Sequence, residues 1–189
     1  MDLKTFEAAA WTALEEAATD PQSDLRYLAL CTVDGAQRPQ ARTVVLRRCE
    51  DAGRMLTFHT DVRSPKWQEM AVNPQVTVLG YDPQRRLQLR LAGRVKCYAA
   101  GSDIAWAAWR ELPQHTRQTY VGGPPGEARA TANETAGAAS AEAGESRFGV
   151  VILQVTVLDA YQLQRGENER ALFRYSVNGG LQGSEWLNP

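Results

Sequence analysis

The chain has 189 residues, 43% hydrophobic and 23% charged, which is the size and balance of one ordinary globular domain. Its 21 basic residues against 22 acidic ones leave a net charge of -1, which excludes a global attraction to nucleic acid or to an acidic membrane, so any cationic site is local. No apolar run approaches the ~20 residues of a membrane span. The acids of the opening MDLKTFEAAAWTALEEAA stand where an export signal would be basic and then apolar; a cytoplasmic protein is expected. Cys31, Cys49 and Cys97 show no CxxC spacing, and His59 and His115 have no partners at ligand spacing. Neither a disulfide scaffold nor a bound metal is expected.

In chain order, Leu3, Phe6, Ala10 and Leu14 fall at helical spacing and predict an amphipathic helix to about Ala18, ended by Asp20-Pro21. From Tyr27 the pattern turns to strand. YLALCTV closes on Asp34-Gly35, a hairpin signal, and ARTVVLRR returns from it. A second hairpin through EDAGR leads to MLTFHT, and Ser64 with Pro65 marks the cap and first residue of a helix that Asn73-Pro74 stops. QVTVLGYD and RRLQLRLAGRVKCYA flank a DPQRR turn, with Leu87, Leu89 and Leu91 facing in and Gln88 facing out or into a site. A helix over 101–112 carries Ile104, Trp106 and Trp109 as anchors. Residues 122–146 are so poor in core-forming side chains that they read as a flexible insertion. FGVVILQVTVLDAYQLQ is a strand long enough to bend, followed by RALFRYSV and a closing SEWLNP. Successive hairpins with helices between them predict a mainly β fold, a barrel with helical decoration in a single domain.

Three clusters carry chemistry. Arg42 and Arg47 bracket one strand; FHTDVRSPK sets His59, Thr60, Ser64 and Lys66 at a strand end and a helix entrance; Gln88 lies two strands on. A helix N-terminus with a hydroxyl and nearby Lys and Arg is a seat for a phosphate dianion. A glutamine amide both donates to and accepts from a planar heterocycle. Arg42 and Arg47, five apart, point to opposite faces of a regular strand unless a bulge intervenes. His59 alone at a strand end is more often a structural hydrogen-bonding residue than a catalyst, and no acid/base chemistry is assigned to it.

The runs RTVVLR, FHTDVRSPK, RRLQLRLAG, RALFRY and WLNP, in that order and separation, resemble the flavin-binding pattern of the pyridoxamine 5'-phosphate oxidase-like FMN-binding split barrels, over roughly 42–93 and 155–189. The resemblance implies a six-stranded Greek-key split β-barrel, paired into a homodimer with two FMN molecules in clefts shared between subunits. It would place Arg42, Val44, Val45 and Arg47 along the FMN, His59 and Thr60 against it, Ser64 and Lys66 at its phosphate, and Gln88 at the flavin ring. Arg174 would come from the partner subunit, and Arg110 and Arg170 would bind substrate. It implies an FMN-dependent oxidoreductase passing a hydride between a small molecule and flavin N5, with no residue singled out as catalytic; the alternative is a module that stores or senses FMN without turnover.

The chain also departs from that pattern. Arg47 stands where a lysine is usual and Pro65 where a basic residue is common. Trp106 replaces a tyrosine, Leu172 a histidine, and Gln164 a tryptophan. Those changes point away from vitamin B6 oxidation itself and toward a divergent branch.

Overall fold

The computed structural model describes residues 1–128, 141–164 and 166–189. Helix α1 (Leu3–Thr19) begins at Asp2, whose carboxylate accepts the Thr5 amide at 2.7 Å, and ends at Asp20 before the proline. Its buried stripe of Phe6, Ala10, Trp11, Leu14 and Ala17 lies mainly against the second strand. Then follow β1 (Tyr27–Val33), β2 (Pro39–Glu50), β3 (Met55–Asp61), α2 (Pro65–Val72), β4 (Gln75–Asp82) and β5 (Leu87–Ala99). Helices α3 (Asp103–Glu111) and α4 (Gln114–Gln118), a 3-10 turn Ala141–Arg147, and strands β6 (Phe148–Gln162), β7 (Glu169–Tyr175) and β8 (Leu181–Leu187) complete the chain. The short α4 and the full length of β8 have no counterpart in the sequence reading.

Strand order runs β3-β2-β1-β4-β5-β6-β7-β8, and β3 also pairs with β6. Six antiparallel strands thereby close into a barrel, and β7 and β8 extend from its rim. The 15-residue β6 makes the split: its first half, Phe148 to Gln154, pairs with β3, and its second half, Val157 to Gln162, pairs with β7, while β5 runs beside both. Gly93 sits at the bend in β5, where the register slips beside Ala92; a Cβ there would overlap the Gln154 carbonyl. The interior is filled by alternate residues such as Leu28, Leu30, Leu46, Phe58, Val78, Leu89, Leu91 and Leu153, which follows from the period-2 pattern of each strand. Leu87, Leu89 and Leu91 face in and Gln88 does not, as expected.

The hairpin at Asp34-Gly35 is present, but its left-handed residue is Gln37 (φ 61) rather than the glycine. Asp34 accepts from the Ala36 and Arg38 amides at 2.9 and 3.0 Å, so its carboxylate shapes the corner. At the next corner Arg54 (φ 54) is left-handed and turns inward. Its guanidinium meets Glu7 at 2.8 Å and lies 4.9 Å from the ring centroids of both Trp11 and Tyr175, while the Trp11 indole donates to the Tyr175 hydroxyl at 3.0 Å. This buried knot ties α1 to the β2–β3 corner and to β7.

Helix α3 corrects one expectation. Ala105 and Trp109, four apart, face the barrel, whereas Ile104 and Trp106 are 40% and 51% exposed. A nine-residue helix on a sheet buries one stripe, and position 106 falls off it. Trp109 packs with Tyr120 and Phe148 into a second small core, with centroid separations of 5.9, 5.4 and 5.2 Å among the three rings. Of the expected insertion at 122–146, residues 129–140 lie outside the described residues. Its flanks are held in place: Arg147 donates to the Val121 and Gly122 carbonyls at 2.5 and 3.0 Å, and Gly144 sits against Trp109 and Tyr120.

Candidate functional site

The corner from β3 into α2 gathers the first group. Ser64 holds the cap position of α2 and is fully buried, yet its hydroxyl donates back to the Asp61 carbonyl at 2.7 Å instead of capping the helix. Pro65 follows as the first helical residue and offers no amide hydrogen. Thr60 Oγ1 lies 3.4 Å from Ser64 Oγ and accepts from Lys66 Nζ at 3.2 Å. Burial, and then the Arg42 charge, hold the Lys66 ammonium below its ordinary pKa. Arg42 arrives from β2: its guanidinium donates to Glu69 Oε2 at 2.8 Å and to the Thr32 hydroxyl, and Thr32 donates to the same carboxylate oxygen at 2.5 Å. Asp61 is engaged by Arg63 at 2.6 Å, which also reaches the Gly122 carbonyl at 3.1 Å. Arg42, Thr60, Ser64 and Lys66 are thus brought together as expected, with two cations and two hydroxyls around one corner.

A second group lies outside the barrel. Arg42 shares the inward row of Val44 and Leu46, but Arg47 occupies a bulge between Leu46 and Arg48, so the two arginines do serve different faces. Arg47 and His59, with Thr57, Val150, Ile152 and the α3 residues Ile104 and Ala108, line a hollow of about 390 Å³. Arg47 Nε and His59 Nδ1 are buried there without a hydrogen-bond partner among the described residues. The His59 ring stands edge-on to Phe148 at 4.9 Å, and burial, helped by the Arg47 charge, pushes its pKa down to about 4. At neutral pH this imidazole is uncharged. Val44 is buried in the barrel wall and Val45 half-buried on the outside.

Gln88 belongs to a third place. In register it stands between Tyr81 of β4 and Tyr161 of β6, and Tyr161 stands opposite Arg170 of β7. Arg170 grips Asp159 through Nε and a terminal nitrogen at 3.0 and 2.8 Å; Arg90 meets the same buried carboxylate at 2.7 Å. These bonds, Arg170's foremost, hold Asp159 below the usual carboxylate range. Arg174 pairs with Glu185 at 2.6 Å on the surface, and Arg110 lies 4.7 Å over the exposed Trp106 ring. Tyr98, opposite Val150 in the row of His59, is ten residues along β5 from Gln88, roughly 33 Å at strand rise. The chain therefore brings Gln88 and Arg170 onto one face and keeps that face away from Arg47 and His59. Thr32 and Glu69 are the members of the corner that sequence reasoning missed; Glu69 lies one helical turn beyond Lys66, a spacing that could have flagged it.

The closed six-stranded barrel with its shared long strand is the architecture of the FMN-binding split barrels. The pattern of the family described as "Pyridoxamine 5'-phosphate oxidase, FMN-binding domain" matches residues 8–99. Residues 8–99 are thus similar to the FMN-binding domain of this family, whose cofactor is FMN. It is similar to the pyridoxine/pyridoxamine 5'-phosphate oxidase of Cupriavidus taiwanensis, at 34% identity over 98 residues, 52% of this chain and 45% of that protein. It is likewise similar to the enzyme of the same name from Deinococcus deserti, at 35% over 79 residues, 42% of this chain and 36% of that protein. The match thus spans less than half the length of these relatives. Among solved structures, a pyridoxamine 5'-phosphate oxidase-related, FMN binding protein from Nostoc punctiforme PCC 73102 covers the whole of both chains with a TM-score of 0.82 and 26% identity. PhzG from Burkholderia lata 383, solved with tetrahydrophenazine-1-carboxylic acid, shares the fold with a TM-score of 0.75 and 17% identity, over 96% of this chain and 90% of that one.

Proposed function

We propose that the protein binds FMN with the phosphate at Arg42, Thr60, Ser64 and Lys66, and that it is an FMN-dependent oxidoreductase working on a small phosphorylated or heteroaromatic molecule. The observation that carries this reading is the β3–α2 corner. Two cations crowd there, one of them a half-buried ammonium held below its ordinary pKa with Arg42's like charge nearby, and a dianion would satisfy both. The corner therefore fits the phosphate. The hollow lined by Arg47 and His59 fits a polar ring edge, because Arg47 Nε is a buried donor and His59 Nδ1 a buried nitrogen, each without a partner among the described residues.

When bound, FMN supplies the redox chemistry, accepting or giving a hydride at N5. The chain's own residues bind and orient. Arg42 and Lys66 would hold the phosphate oxygens, and Thr60 would turn its hydroxyl to them; Ser64, fully buried with its proton given to the Asp61 carbonyl, would brace the corner behind Thr60. Val44 and Val45 would offer strand backbone along the cofactor, since Val44's side chain is committed to the barrel wall. Arg47 and the neutral His59 would meet the polar edge of the ring, and the α3 wall at Ile104 and Ala108 would exclude water. Gln88 would address the ring from a second copy. The separation of Gln88 from His59 along the sheet favours a homodimer in which each flavin site takes Gln88 and Arg174 from one subunit and Arg47 and His59 from the other.

A second reading, an FMN-binding module without turnover, draws support from the substrate side. Arg170 is committed to Asp159, so it does not stand ready for a substrate anion, and Leu172 brings no acid or base. The test is the absorption spectrum of the purified protein, with the released chromophore identified by mass, followed by anaerobic additions. Flavin bands and the mass of FMN are expected. Bleaching by pyridoxamine 5'-phosphate would make the protein a vitamin B6 oxidase; bleaching by NADPH alone would make it a reductase. A flavin that no donor bleaches would favour the module. A colourless protein that takes up no added FMN would sink both readings.

A further inference from the structure

Arg42 is held by a closed triangle. Its guanidinium donates to Thr32 Oγ1 and to Glu69 Oε2, and Thr32 donates to that same Glu69 oxygen, so each corner bonds to the other two. The three residues come from β2, β1 and α2; Thr32 is buried, Glu69 nearly so and Arg42 half-buried. The Leu30 carbonyl adds a long fourth contact to the same Arg42 nitrogen at 3.5 Å. A carboxylate serving only as a stand-in for a ligand anion would be exposed and singly bonded. Here it is built into the joint between helix and barrel, and it fixes a flexible side chain whose guanidinium fork has to meet phosphate oxygens.

We infer that Thr32 and Glu69 are positioning residues, which set Arg42 for the phosphate of FMN and so make the site prefer FMN over riboflavin. This rests on the FMN reading above. The two carry no chemistry of their own and act through Arg42. Thr32 is the cleaner probe because its replacement leaves every charge near the phosphate in place.

The experiment compares the dissociation constants of FMN and of riboflavin, by quenching of flavin fluorescence on the full chain, with thermal unfolding of each variant alongside. Thr32→Val removes the hydroxyl from the triangle, and FMN should bind about tenfold more weakly, the scale of one hydrogen bond to a charged group, while riboflavin binds as before. Thr32→Ser restores the hydroxyl and should restore the preference for FMN. Glu69→Gln keeps an acceptor for Arg42 and Glu69→Met does not, so Glu69→Met should show the lower FMN preference. Equal weakening of both flavins by Thr32→Val, or no weakening of either, would overturn the inference. So would a rise in FMN affinity of the same size in both Glu69 variants, which is the signature of a carboxylate that merely repels phosphate. If the unaltered chain binds neither flavin, the FMN reading itself falls and this inference with it.

Discussion

Lys66→Met removes the ammonium and keeps most of the aliphatic stem. In the structure Lys66 Nζ has Thr60 Oγ1 at 3.2 Å and lies half-buried, with Arg42 as a like charge and Asp61 and Glu69 as opposite ones. If it holds a phosphate oxygen, its loss forfeits a charge-assisted hydrogen bond of about 1.5–3 kcal/mol, and FMN should bind about ten- to a hundredfold more weakly. Riboflavin, which has no phosphate, should bind as before. The effect on the folded chain runs the other way. A lysine whose pKa is lower folded than unfolded penalises the fold wherever it is charged, at every pH below its folded pKa, and the penalty is relieved as pH rises through that value toward 10.5. At neutral pH the variant without flavin should therefore unfold no more easily than the parent. Flavin-fluorescence titrations with both ligands and thermal unfolding of the flavin-free chains check the two halves. An FMN dissociation constant within threefold of the parent, or a matching loss for riboflavin, would refute the assignment of Lys66 to the phosphate.

His59, at about 4 folded against 6.5 unfolded, favours the native state fully above pH 6.5, and that advantage, roughly 3 kcal/mol, is lost as pH falls from 6.5 to 4 because the unfolded chain takes the proton first. His59→Gln should show a smaller drop in urea midpoint between pH 7 and pH 4.5, and identical acid losses in the two proteins would contradict a buried neutral imidazole. Arg54→Met strands the Glu7 carboxylate beside Trp11 and Tyr175, which should cost about 3–5 kcal/mol in chemical denaturation; adding Glu7→Gln should recover part of it, and no recovery would mean that lost packing rather than an orphaned charge sets the cost. Gly93→Ala drives a methyl into the Gln154 carbonyl at the bend of β5 and should lower stability by about 1–3 kcal/mol or more, and an unchanged thermal midpoint would show that the bend can open.

The barrel was legible because its strands alternate cleanly. Leu87, Gln88, Leu89, Arg90 and Leu91 state their faces in the order of their letters, and the Ser64-Pro65 pair marks the start of α2 where it falls. The gathering at the β3–α2 corner was legible for a related reason: Thr60, Ser64 and Lys66 are close in sequence, and a strand end feeding a helix N-terminus leaves them little choice of place. Local spacing said nothing about what Arg42 would find across the barrel. Thr32 alternates with Leu28 and Leu30 and reads as one more inward residue, and its role appears only once β1, β2 and α2 are packed. The same limit explains α3, where Ile104, Trp106 and Trp109 are equally apolar and only the angle at which the helix meets β6 decides which are covered. Nor could spacing show that Arg170, an apparent substrate residue, is engaged by a buried Asp159 eleven positions earlier.

The placement of Gln88 bears most directly on how such a site could work. A strand of the barrel wall cannot fold back on itself, so Gln88 and the row of Tyr98 and His59 stay at opposite ends of β5 whatever ligand is present. About 33 Å of strand contour, bent at Gly93, lies between the two rows. That placement favours the reading in which the glutamine and the imidazole of one chain serve different flavins. Either the Gln88 face, with Tyr81 and Tyr161 beside it, serves the flavin of a second copy, or it serves no flavin. In the first case affinity for FMN depends on association, because a lone subunit offers the phosphate corner and the His59 hollow but only one wall for the ring. In the second, the Arg47–His59 hollow alone must select the isoalloxazine, with α3 as its opposite wall. The separated arrangement of tyrosines and glutamine on an exposed sheet face, at Tyr81 45% open to solvent, is the costly feature that the first case explains and the second leaves idle.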